Sequence, residues 1–134
     1  MPVNKKRLCQ AVRMILHDES VARAKINIAL VDDSTIASLH QRYLHDPDPT
    51  DVLSFVLERS PQYLEGEIVV SAETARSSGP RYHWTAADEL LLYVIHGALH
   101  LIGYDDNTKK NRTKMRLKER EYLARFGLEY KTEV

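Results

Sequence analysis

The chain has 134 residues, 43% hydrophobic and 28% charged, with 19 basic and 19 acidic residues and a formal net charge of zero. That size suits one domain, residues 1–134, around one hydrophobic core, and the balanced charge gives no global attraction for a polyanion. No apolar run approaches the length that spans a bilayer, and the basic start Met1-Pro2-Val3-Asn4-Lys5-Lys6-Arg7 has no apolar signal core behind it, so a cytoplasmic protein with no membrane partner is expected.

From about Asn4 to His17, Leu8, Val12, Ile15 and Leu16 recur at helical spacing. The single cysteine, Cys9, lies in this stretch. It excludes an internal disulfide, fits a reducing compartment and is expected to pack in the helix, since no activating motif accompanies it. Lys25 to Val31 alternates through Ile26, Ile28 and Leu30 and reads as a strand. Asp32-Asp33-Ser34 supplies N-cap candidates for a helix from about Ser34 to Tyr43. Asp46-Pro47-Asp48-Pro49 is expected to be a loop, because each proline restricts itself and the residue before it. Val52 to Leu57 reads as a strand, and Glu65 to Ser71, centred on Ile68-Val69-Val70, as a stronger one. Ala72 to Ser77 is a short helix ended by Ser78-Gly79-Pro80. Thr85 is an N-cap candidate with Asp88 at the capping-box distance, opening a helix that runs to about Ile102. A final helix spans about Thr108 to Phe126 and is ended by Gly127. The order implies an α+β (α/β-like) domain with a small mixed sheet packed by about five helices.

The chemistry concentrates in His96-Gly97-Ala98-Leu99-His100-Leu101-Ile102-Gly103-Tyr104-Asp105-Asp106. Two histidines four apart on a helix share a face. Gly103 then stops the helix, and the chain turns a carboxylate back towards them. His96, His100 and Asp106 make two imidazoles and one carboxylate, the ligand set of an open transition-metal site at the end of a central helix. Zinc fits best, with Mn, Ni or another divalent ion as alternatives. An open fourth position can take a water and lower its pKa to about 7. Asp105 is a candidate to orient a ligand histidine through its second nitrogen, or else a turn-forming residue. A zinc peptidase carries its general base directly after the first histidine, and Gly97 has no side chain there. Peptide hydrolysis is therefore disfavoured.

Charge is uneven near this motif. Lys109 to Arg125 holds eight basic residues, against Glu119 and Glu121 alone as acids. Lys109, Lys110, Arg112, Lys114 and Arg116 follow the metal motif directly and are candidate nucleic-acid contacts. A solvated helix face is the alternative. His17 and His45 have no partner pattern and read as surface residues, and His83 and Trp84 read as packing.

The string HGALHLIGYDD is similar to the HGxLHLxGYDH signature of the YbeY family of bacterial metal-dependent endoribonucleases. Pro49-Thr50-Asp51-Val52-Leu53-Ser54-Phe55 matches the family's PTDVLSF segment, and Gly66-Glu67-Ile68 resembles its G-D/E-I strand. Met115 and Glu119 fall where the family often has a Met and a Glu. The resemblance implies a single-strand-specific nuclease that acts in rRNA processing, with the 3′ end of small-subunit rRNA as substrate. It further implies the ribosomal small subunit or assembly factors as partners. The chain departs from the pattern at several positions. The family's third histidine is Asp106. Its N-x-x-Y-R run is His40-Gln41-Arg42-Tyr43-Leu44, so Asn becomes His40 and Arg becomes Leu44. Its Pro after the Phe is Val56. Asp106 is a competent ligand that makes the site more anionic and shifts its preference towards harder ions. Leu44 cannot meet phosphate charge, and Arg42, two residues away, lies on a different helix face.

Three functions follow from these residues. The first is a metal-dependent endoribonuclease. The second is a ribosome-assembly or RNA-binding factor with a structural metal, favoured by Leu44. The third is a metal-dependent hydrolase of another substrate.

Overall fold

The computed structural model describes residues 3–44, 51–79 and 84–129. The elements are α1 (Lys5–Asp18), β1 (Ala24–Val31), α2 (Asp33–Leu44), β2 (Val52–Ser60), β3 (Tyr63–Ser71), α3 (Ala72–Ser78), α4 (Ala86–Leu101) and α5 (Lys109–Ala124). The strands form one sheet in the order β1-β3-β2, with β1 parallel and β2 antiparallel to central β3. The architecture is the expected α+β arrangement of five helices and a small mixed sheet. The expected loop 46–49 and the histidines at 45 and 83 lie outside the described residues.

Local chemistry sets the boundaries. The Asn4 side chain accepts from the Arg7 N–H and starts α1. Asp32 accepts from the Thr35 N–H at 2.7 Å and opens α2. At α4 the capping box is complete, with Thr85 Oγ1 bonded to the Asp88 N–H and the Asp88 carboxylate to the Thr85 N–H. The hairpin is longer than the sequence suggests: β2 continues through Ser60, and Pro61-Gln62 turns it into β3. Residues 56–60 are exposed on an edge strand, so no alternation of burial marked them. A register shift between Val56 and Glu58 bends this strand end.

The sheet separates two apolar layers. Ile68 and Val70 of β3 enter the main core with Leu8, Ala11, Val12 and Ile15 of α1 and the apolar residues of α4 and α5. Val69 points the other way, joining Leu53 and Ile36 under α2. Glu67 shares the parity of Val69 and so lies on the α2 face, away from α4. Cys9 corrects the sequence expectation: it is exposed, because α1 buries positions 8, 11, 12 and 15 and position 9 lies off that stripe. Among the described residues no helix is long and apolar enough to cross a membrane.

Helix α4 is the centre of the molecule. Eleven of its 16 residues are buried, so it is enclosed on nearly all sides. It lies close against the sheet at Gly97. A Cβ there would lie 2.7 Å from Ile68 Cγ2, 3.0 Å from Ser54 Oγ and 3.2 Å from Val52 Cγ2. The Ser54 hydroxyl donates to the Gly97 carbonyl at 2.9 Å and pins the helix to β2. Gly97 therefore has a packing reason to be glycine. The missing peptidase base is also a position with no room for a side chain.

On helix propensity alone, Gly97→Ala would gain about 1 kcal/mol. Overpacking against a β-branched residue on a central strand typically costs about 1–3 kcal/mol. We expect Gly97→Ala to lower the midpoint of urea unfolding, whereas a raised midpoint would contradict the close approach.

Candidate metal centre

His96 and His100 occupy the last two turns of α4 and present Nε2 atoms 3.0 Å apart. Gly103 adopts φ +110°, a left-handed conformation that ends the helix. The Gly103 N–H bonds to the His100 carbonyl and the Tyr104 N–H to the Leu99 carbonyl. The chain then folds back. Asp106 Oδ2 lies 3.6 Å from His96 Nε2, and Oδ1 lies 3.7 Å from His100 Nε2. The three side chains offer donor atoms all within 4.8 Å of one another. Ligands about 2.1 Å from a tetrahedral ion stand about 3.4 Å apart, and these separations bracket that value. The group His96, His100 and Asp106 can hold a metal ion.

Glu119 completes the group from α5. Its Oε2 accepts from His96 Nδ1–H at 2.6 Å, and its side chain is only 4% exposed. A carboxylate on Nδ1 fixes the ring's tautomer and leaves the Nε2 lone pair facing the other donors. Asp105 does not do this for either histidine, which corrects the role considered for it. Its carboxylate accepts from Asn111 Nδ2 at 2.8 Å and from the Asn107 N–H, the turn-forming alternative. Glu119 carried the family resemblance but no assigned role. The signal was its phase: with Met115, Tyr122 and Leu123 it lies on the buried face of an otherwise charged helix.

The loop carrying Asp106 is tied from both ends. Tyr104 donates to Glu19 Oε1 at 2.7 Å, and Lys118 and Tyr122 of α5 reach Glu19 Oε2 at 3.4 Å. The Tyr104 hydrogen bond, against the cost of burial, holds the Glu19 carboxyl below its ordinary range. On the far side Arg112 Nη1 donates to the Asp106 carbonyl at 3.4 Å.

The two imidazoles titrate in opposite directions. Burial pulls His96 down, but the Glu119 hydrogen bond and charge, with Asp106 and Asp51, outweigh it and raise the pKa. Burial lowers that of His100, and the charge of His96 adds to this against the nearby carboxylates.

Two cavities meet at this wall. One, of about 200 Å³, opens towards α5 and is lined by Tyr93, Met115, Arg112 and Arg116 beside His96 and Asp106. The other, of about 400 Å³, opens towards β2 and is lined by His40, Ser54, Val56 and His100. Asp51 and Val52 line both. Three donors therefore face open space in which a further ligand fits. His40, noticed in the sequence only as a departure from the family run, is brought to the site. Of the five candidate basic residues, Arg112 and Arg116 reach it, while Lys109, Lys110 and Lys114 line neither cavity. Trp84 packs against the core and His17 is exposed, both as expected.

A family model described as Endoribonuclease YbeY matches residues 2–127. The chain belongs to the YbeY family. Curated proteins named Endoribonuclease YbeY are similar over most of its length. That of Rhodopirellula baltica is 38% identical over 124 residues, covering 91% of this chain and 64% of the relative. That of Sulfurovum sp. is 40% identical over 118 residues, covering 82% of this chain and 78% of the relative. A solution structure of a Thermotoga maritima protein is similar in fold, with a TM-score of 0.59 and 28% identity, covering 94% of this chain and 88% of that one. In this YbeY member, both histidines of the motif come together with Asp106 as the sequence reading expected.

A ligand histidine binds metal only when neutral, so protons compete below its pKa. The raised pKa of His96 brings that competition in at a higher pH than for an ordinary imidazole. Metal affinity should therefore fall as pH drops from about 8 to about 5. In Glu119→Gln the fall should move to lower pH. Affinity above the titration should still drop about 10-fold, because the ring is less well oriented. Metal titrations across this range check it, and an unshifted profile in Glu119→Gln would contradict the carboxylate's role.

Proposed function

We propose that the chain is a metal-dependent endoribonuclease, specific for single strands and acting in rRNA processing and ribosome biogenesis or quality control. Its proposed substrate is the 3′ end of small-subunit rRNA, its partners the ribosomal small subunit or assembly factors, and its compartment the cytoplasm. The cofactor is one zinc ion held by His96, His100 and Asp106. The observation that carries this reading is the three-donor group opening onto a cavity that also holds Arg112 and Arg116. Family membership supports the reaction class.

When bound, the ion supplies Lewis acidity towards a phosphodiester and towards a water. The chain's own residues do the rest. Glu119 keeps the His96 lone pair on Nε2 and turned to the donor group. Asp106 adds negative charge, which favours zinc or a harder ion over a softer one. Gly97 leaves the position directly after His96 without a carboxylate, which favours a substrate other than a peptide. Basic residues of α5, from Lys109 to Arg116, hold the RNA backbone beside the donor group. Asp51, half-buried, is a carboxylate that lines both cavities alongside His96 and Asp106.

A second reading keeps the metal as a structural element of an RNA-binding assembly factor. Leu44, standing where the resemblance places an arginine, favours it.

Cleavage of a single-stranded RNA by the zinc-loaded protein and by His96→Ala, each after metal quantification, decides between them. We expect one zinc per wild-type chain, strand scission, and the loss of both in the variant. Intact RNA beside a stoichiometric zinc would favour the assembly-factor reading.

A further inference from the structure

The five basic residues that follow the metal motif are not equivalent. Arg112 and Arg116 stand four apart on α5, so their side chains leave the same face of the helix. That face lines the cavity holding His96 and Asp106. Arg112, though exposed, donates to the Asp106 carbonyl at 3.4 Å, which places its guanidinium near the donor group. Three carboxylates share the cavity: Asp51, Asp106 and Glu119. Glu119 is bonded to His96, and Asp106 faces both imidazoles. Among the described residues neither Arg112 nor Arg116 forms an ion pair. Lys118 and Arg125, by contrast, are each paired with two acids. Two guanidinium groups that form no ion pair among the described residues thus share this cavity with His96 and Asp106.

We infer that Arg112 and Arg116 form the phosphate subsite of this cavity and contact the scissile phosphate itself, while Lys109, Lys110 and Lys114 act only on flanking backbone. Guanidinium groups fork onto pairs of phosphoryl oxygens, which a lone ammonium cannot do. Charge gathers on those oxygens as the phosphodiester reacts, and cations fixed beside them favour that state. The cation absent at Leu44 is thereby supplied from another helix. The scissile phosphate is placed on the α5 side, and the larger cavity on the β2 side, with its mix of Val56, Ser54 and His40, is left for the adjoining nucleoside.

The inference rests on the nuclease reading for its substrate, and its test is separable from that reading. The first measurement uses inorganic phosphate as probe with the zinc-loaded, nitrogen-labelled protein. Nε–H resonances of Arg112 and Arg116 should shift together with the Asp106 amide, and the saturable response should vanish in Arg112→Ala/Arg116→Ala. It should persist in Lys110→Ala/Lys114→Ala, which removes the same charge outside the cavity. The second measurement is RNA cleavage. The arginine pair variant should lose about 100-fold in kcat, with Arg112→Lys/Arg116→Lys recovering only part. The lysine pair variant should keep kcat and raise KM, with a shallower dependence of KM on salt than the wild type. Phosphate binding without RNA cleavage in the wild type would sink the nuclease reading and leave the subsite standing. Cleavage with no arginine response to phosphate, or with equal losses in the two pair variants, would overturn the subsite alone.

Discussion

The hydrogen bond between Glu119 and His96 is the contact on which the site depends. It joins α5 to α4 across 23 residues of sequence, in a pocket where the carboxylate is almost wholly buried. A buried carboxylate is costly unless it is paired, and His96 is the partner that makes it tolerable. The same bond decides which imidazole nitrogen is free. Without it, two Nε2 atoms 3.0 Å apart could settle their contact by sharing a proton. With it, His96 offers a lone pair, and the donor group is directed outward to the cavity. The opposed shifts of the two histidines follow, one held by carboxylates and the other desolvated beside its neighbour.

The scaffold delivers α4 to that bond with little slack. The helix is buried on nearly every side and touches β2 and β3 at Gly97 with no space for a methyl group. Ser54 fixes the carbonyl of that glycine, so the register of His96 and His100 against the sheet is set by one hydroxyl and one missing side chain. Glu19 does the corresponding work at the other end, gathering Tyr104, Lys118 and Tyr122 so that the return loop and α5 move together. Neither Ser54 nor Glu19 touches a donor atom, yet both restrict where Asp106 and Glu119 can stand.

Much of this was legible in the sequence, for physical reasons that differ from residue to residue. His96, His100 and Asp106 could be read because helix periodicity and a glycine stop are local rules. The Thr85 capping box was legible for the same reason, and both of its hydrogen bonds are present. The role of Glu119 was not, because its partner lies 23 residues away and only the tertiary fold brings α5 over α4. Asp105, adjacent in sequence, fits either an orienting or a turn-forming role, and in the fold it closes a turn on Asn111. The hairpin end of β2 was invisible because an exposed edge strand carries no burial pattern. Cys9 was misplaced because a cysteine's apolar character says nothing about which side of a helix stripe it occupies. The division of the α5 cations into Arg112 and Arg116 at the cavity, and lysines away from it, needed the orientation of the helix about its own axis.

Relative to the signature that the chain resembles, Asp106 stands in place of the third histidine, and the proposed metal centre requires its carboxylate as a donor. X-ray absorption at the zinc edge, on the wild type and Asp106→Ala at matched zinc occupancy, tests it most directly. Two imidazoles and at least one oxygen neighbour are predicted for the wild type, with a changed oxygen shell and weaker binding in the variant. An identical shell and affinity in Asp106→Ala would show that the carboxylate is not a ligand, and the metal centre described here would be wrong.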